Sequence, residues 1–158
     1  DVLAWHFEVG PDLEFLRALA EIRVGIELES AALAAVRHTP AQLHRMHEYV
    51  DGMAGARRTE DFARYDLNFH RTVAEASGNL FMASINGLVD MALASAFTIS
   101  SPVADSAAHH LTVGNHRRVA EAIAASDPDG AREAMRIVIN EGFDRAVGRM
   151  ADATAATA

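Results

Sequence analysis

Asp66 and His70 stand four residues apart in the segment Asp66-Leu-Asn-Phe-His70. On a helix this spacing projects both side chains from one face, about one turn apart, where a carboxylate and an imidazole can grip one cation. From the spacing alone an ordinary hydrogen-bonded or solvated pair is the commoner reading. The neighbours favour the cation. Tyr65 and Phe69 put the adjacent face in a core, and a buried ionised aspartate needs a partner. His116 opens the Val119, Ala122, Ile123 apolar pattern, which aims it near the interior, and it is the best distant third ligand. Its alternative is a capping or satisfied core histidine. Asp66, His70 and His116 are the candidate set for a divalent, zinc-like metal.

The remaining histidines carry less. His44 and His47 share a helix face with Gln42, Arg45 and Glu48 around them, which reads as a solvated face. His109 and His110 adjoin the 102–106 loop and could shield a cavity, but neighbours on a helix point about 100° apart and do not chelate together easily. His6 and His38 support no argument. There is no cysteine, no Gly-x-Ser-x-Gly elbow, no Gly-x-x-x-x-Gly-Lys loop and no His-Glu-x-x-His helix, so nothing demands catalysis. Glu27 and Glu29 lie two apart, on different faces, and read as helix surface or as partners of Arg23.

Helices must position these groups, because apolar residues recur at three and four along every long segment. Asp12 can cap a first helix whose Phe15, Leu19, Ile22, Ile26 and Leu33 make one stripe ending near Val36, with Arg23 and Glu27 beside it. Thr39-Pro40 starts a second, with Leu43, Met46, Val50 and Met53 inward, fading at Gly52 and Gly55. Thr59 can cap a third that carries Phe62, Tyr65, Phe69 and Val73 inward and stops at Ser77-Gly78. Asn79 can cap a fourth, Leu80 to Ser100, marked by Ile85, Leu88 and Met91. A fifth covers part of Ala107 to Ala125, with Gly114 as a potential break, and a sixth runs from Pro128 to about Met150.

The expected fold is all-α: an antiparallel bundle of about six to seven helices around one core, enclosing a ligand cavity. A chain of 158 residues is one ordinary domain and buries enough core to fold without disulfides. Its net charge of −8 argues against this piece gripping a phosphate backbone. No signal peptide is evident and no apolar run approaches the ~18 residues of a membrane span, so a cytoplasmic protein with no membrane partner is expected. The chain opens at Asp1 without methionine and runs into Val2-Leu3-Ala4-Trp5, as a piece of a longer protein would. The expected division is a linker at 1–11 from an upstream domain, a domain at 12–150 and a flexible Ala/Thr-rich tail at 151–158.

Several strings together resemble the FCD domain, the ligand-sensing domain of FadR-subfamily GntR transcription regulators. They are Arg23-Val-Gly-Ile-Glu27, Ala31-Ala-Leu-Ala-Ala35, Asp66-Leu-Asn-Phe-His70, Ala76-Ser-Gly-Asn79 and His116-Arg-Arg-Val-Ala-Glu-Ala-Ile123, leading to Asp127, Ala131 and Ala134-Met135. The resemblance covers nearly the whole chain. It implies a helical bundle with a cavity, joined to a winged helix-turn-helix at residues preceding this chain that binds operator DNA as a homodimer. It further implies a divalent metal on an aspartate and three histidines, engaging an organic-acid effector. Asp66, His70 and His116 match the first three ligands. The fourth falls on Val138, which cannot coordinate, and Asn140 is about 200° round the helix from it.

The opening residues, with Gly10-Pro11-Asp12 and Phe15-Leu16-Arg17, look like those of sugar-acid regulators of the galactonate type. Arg23 is then the residue expected to pair with an effector carboxylate, since a guanidinium makes two parallel charge-assisted bonds to one. The alternative for Arg23 is a helix salt bridge to Glu27. The functional expectation is a non-enzymatic effector-binding and dimerisation domain that senses a small carboxylate. Two rivals stand beside it: a metal-dependent hydrolytic enzyme, and a dimerisation module with a vestigial cavity.

Overall fold

The computed structural model describes residues 11–156 as six helices and no strand. They are α1 (Leu13–Arg37), α2 (Pro40–Gly55), α3 (Thr59–Ala76), α4 (Leu80–Ser100), α5 (Ser106–Ala124) and α6 (Pro128–Ala156). The linker expected at 1–11 lies, Pro11 aside, outside the described residues, as does His6.

Local chemistry sets most of the boundaries. Asp12 accepts from the Phe15 amide at 2.8 Å and starts α1. Thr39 and Gln42 form a reciprocal capping box at α2 with Pro40 in the first turn. Asn79 and Asp105 cap α4 and α5. The stop after α3 uses Gly78 at φ +66°, a left-handed conformation that favours glycine. Thr59 does not cap α3: Arg58 holds the N-cap position, and the Thr59 hydroxyl donates instead to Ser101 Oγ at 2.9 Å. Gly114 leaves α5 unbroken, and α6 continues past Met150 through six exposed residues to Ala156.

The bundle is built on α1, which packs against α3, α4, α5 and most extensively α6. One continuous core runs through it, with Phe62, Phe69, Met46, Met53, Met135 and Ile139 wholly enclosed. The inward face of α1 differs from the stripe read in the sequence. Ile22 is exposed, while Arg23, Glu27 and Ser30 are buried among Leu16, Leu28, Ala31, Ala34 and Ala35. Small alanines let neighbouring helices approach the lower half of α1, and a charged pair occupies the gap above them.

Helix α4 is likewise turned from its sequence pattern. Ile85, Leu88 and Met91 face outward with Leu80 and Phe81, and the inward side carries Val89, Leu93, Ala96 and Phe97 with Asn86 and Asp90. By length and composition Leu80–Phe97 could cross a membrane, although polar residues interrupt it. Its buried face is that of a bundle helix: Asp90 accepts from Asn86 Nδ2 at 3.0 Å and from Arg71 Nη2 at 2.9 Å.

Gly52 is required by a close approach, because a Cβ there would sit 2.6 Å from two carbons of the Tyr65 ring. Gly52→Ala gains about 1 kcal/mol of helix propensity but incurs about 1–3 kcal/mol of overpacking. A net loss of about 1 kcal/mol is expected in chemical denaturation; an unchanged midpoint would show that Tyr65 moves aside freely.

Candidate metal and effector site

Three helices bring the sequence-predicted residues together. Helix α3 supplies Asp66 and His70, α5 supplies His116 and α1 supplies Arg23, each less than a tenth exposed. His116 Nε2 lies 3.0 Å from Asp66 Oδ1 and 3.3 Å from His70 Nε2, and His70 Nε2 lies 3.7 Å from Asp66 Oδ2. Ligand atoms around one ion with bonds of about 2.1 Å are separated by roughly 3.0–3.4 Å, so the three converge at close to the spacing a single cation imposes. Among the described residues they are the one His/Asp/Glu group with this convergence.

The outer nitrogens show why the inner ones point inward. His116 Nδ1 is 2.8 Å from the Thr112 carbonyl, which can only accept, so Nδ1 is the donor. In the neutral ring the Nε2 lone pair then faces a carboxylate oxygen, acceptor against acceptor, an arrangement that calls for a shared proton or a cation. His70 Nδ1 lies 2.7 Å from Glu27 Oε2, though too obliquely for an aligned hydrogen bond. The 2.7 Å separation still makes the two an ion pair when the ring is charged. Each ring is thus held from behind, one by a carbonyl and one by a carboxylate, as metal-bound histidines usually are.

Glu27 is the residue that sequence reasoning undervalued. It is buried rather than on the helix surface, and it bridges Arg23 and His70. Arg23 Nε donates to Glu27 Oε1 at 2.6 Å and Nη2 to Oε2 at 3.2 Å, so the helix salt bridge considered for Arg23 is formed. Arg23 Nη2 also approaches His70 Nε2 at 3.4 Å. The signal was available as the Arg23/Glu27 spacing, but a charged pair on a helix is usually read as solvated.

The charges balance one another. Burial opposes ionisation of Glu27, yet Arg23 and His70 outweigh it and hold its carboxyl far below the usual range. Burial also opposes the Asp66 carboxylate, and the hydrogen bond from His116 with the charges of His70, His116 and Arg23 holds it low. Burial would lower His70, but Glu27 and Asp66 raise it. Removing one member would leave an uncompensated charge in the core.

Arg23, Asp66, His70 and His116 line a cavity of about 50 Å³, together with Leu93, Phe97 and Val138. Val138 is buried and lines the wall where the resemblance placed a fourth ligand, and Asn140 is exposed on the other side of α6. His44 is solvated beside Glu48, and His109 binds the Met53 carbonyl at 2.7 Å, closing the end of α2. Glu29 pairs with Arg132 across the α1–α6 contact.

A helical bundle with a charged cavity has the build of a small-molecule sensing domain. A family profile for the FCD domain matches residues 18–141. The HTH-type transcriptional repressor NanR of Cronobacter sakazakii is 30% identical over 126 residues, covering 78% of this chain and 48% of the relative. The chain therefore spans about half the length of that curated relative. Streptococcus agalactiae GntR superposes with a TM-score of 0.70 at 24% identity, over 83% of this chain and 59% of the other. The metal-free FCD domain of the transcriptional regulator TM0439 superposes with a TM-score of 0.73 at 17% identity, over 90% and 98%. The chain belongs to the FCD domain family.

Proposed function

We propose that this chain is the effector-binding domain of a GntR-family transcriptional regulator and senses a small carboxylate, a sugar acid being the favoured class. The observation that carries this reading is the convergence of Arg23, Asp66, His70 and His116 on one cavity in a member of the FCD family. In this reading Arg23 receives the carboxylate. Its guanidinium lines the cavity while Nε and Nη2 are held by Glu27. Asp66, His70 and His116 would hold a divalent metal. When bound, it would supply a positive centre beside Arg23 that favours an anionic ligand.

Operator binding, in this proposal, belongs to an N-terminal helix-turn-helix domain outside this chain, in a cytoplasmic homodimer. The large apolar residues exposed on α4 offer a face for the second copy. The cavity supports a coupling mechanism. At about 50 Å³ it holds a few waters, far below the roughly 300 Å³ at which ligand pockets begin. A sugar acid therefore binds a more open packing than this one, and that difference in affinity shifts the helices and with them the DNA readers.

Thermal melting against a panel of aldonates and other small carboxylates tests the reading, because a ligand that binds only the native state raises its stability. At least one acid is expected to raise the melting temperature, and Arg23→Ala to lose most of that shift. No response to any member of the panel would count against a carboxylate sensor and favour a dimerisation module.

A further inference from the structure

A second group of polar side chains lines the cavity. Glu141, one turn beyond Val138 on α6, forms an ion pair with Arg145, and both meet Thr112 of α5. The Thr112 hydroxyl accepts from Arg145 Nη1 at 3.0 Å and lies 3.1 and 3.2 Å from the two Glu141 oxygens. It also lies 2.8 Å from the Ala108 carbonyl. One hydroxyl hydrogen cannot serve the carbonyl and both carboxylate oxygens, so Glu141 keeps acceptor capacity that the protein does not fill. Arg145 and Glu141 thus set a donor and an acceptor side by side on the cavity wall.

The same two residues line a second space, an open groove of about 440 Å³ between α5 and α6 flanked by Leu111 and Ile137. The ion pair thus borders both this groove and the inner cavity.

We propose that Thr112, Glu141 and Arg145 form a second recognition pole of the effector site and select carboxylates that carry hydroxyl groups over those with an apolar chain. This rests on the carboxylate-sensor reading above. A hydroxyl both donates and accepts, so it can sit between Glu141 and Arg145 and replace the bond each loses when the pair parts. An alkyl chain in that position would leave both charges unpaired, and sites built to hydrogen-bond a hydroxyl strongly reject the analogue without it. The pole is also fastened to the first group, because the Thr112 carbonyl holds His116 Nδ1.

The test compares acids of equal carbon number, gluconate against hexanoate and glycerate against propionate, by melting shift at graded concentrations. The hydroxylated member of each pair is expected to bind more than about ten-fold tighter. Thr112→Val and Glu141→Gln should each shrink that ratio by several-fold. The ratio within one variant is unaffected by a general loss of stability. Equal binding of hydroxylated and alkyl acids, or a ratio that persists in both variants, overturns the second pole while leaving the carboxylate reading standing. Binding of no acid at all overturns both.

Discussion

Replacing Glu27 with alanine is expected to cost about 3–5 kcal/mol, the largest single effect in the domain. Its carboxylate is bound by Arg23 through two nitrogens and stands 2.7 Å from His70, with all three side chains buried. The truncation leaves a guanidinium without its bonded counter-ion in the core and removes a charge that raises the His70 pKa. For a domain of this size the loss corresponds to a melting temperature lower by about 6–20 °C. The deficit should be specific to the orphaned charge. Arg23→Met combined with Glu27→Met removes both members, and it should be more stable than Glu27→Met alone, because the cost lies in breaking the pair rather than lacking it. Equal stability of the single and double variants would show that Glu27 contributes only its packing. The metal readout separates a second role: metal-histidine sites commonly lose about 10–100-fold in affinity when the group behind a ring is removed, so Glu27→Gln should bind zinc more weakly.

Glu27 also shows where the sequence could be read and where it could not. Capping is chemistry between neighbours, so Asp12, Thr39 and Asn79 mark their helices without knowledge of the fold. Asp66 and His70 are one turn apart, and the aromatic residues beside them indicate burial from local pattern alone. The orientation of α1 and α4 was not local. Periodicity assigns inward faces to large apolar residues, whereas the bundle turns alanines and the Arg23–Glu27 pair inward on α1, and Asn86 with Asp90 inward on α4. Each of these polar groups is bonded to a partner, and its burial depends on that partner. In Arg23 and Glu27 the partner was four residues away and visible. For Asp90, Arg71 lies on another helix, and for Glu141 the hydroxyl of Thr112 comes from α5, so no reading of one segment could find the second polar group of the cavity.

Zinc is expected to stabilise the domain, and the size of the effect should grow with pH. Without metal, His70 titrates above its ordinary value because Glu27 and Asp66 outweigh the burial that would lower it. A raised folded-state value means that the stability from the charged ring is complete below about pH 6.5 and drains away as pH rises through that value. The two carboxylates have the opposite sign: Glu27 and Asp66 are depressed, so their contribution is present above about pH 4 and lost as pH falls through their folded-state values. A metal ligand must be a neutral imidazole, so zinc displaces the proton from His70 and binds more tightly as pH increases. The melting temperature of the chelated domain should therefore decline between pH 6.5 and 8.5, while the zinc-loaded domain holds level or rises. Zinc at about 100 times its dissociation constant adds about 2.7 kcal/mol, or roughly 5–11 °C. His70→Ala and His116→Ala should each abolish the shift. Val138→His should enlarge it, because Val138 already lines the cavity on α6 and a fourth protein ligand completes a tetrahedral site. A zinc response that survives His70→Ala, or one that shrinks as pH rises, would place the metal elsewhere. Asp66, His70 and His116 would then be a charge network whose shared proton does the work assigned here to the cation.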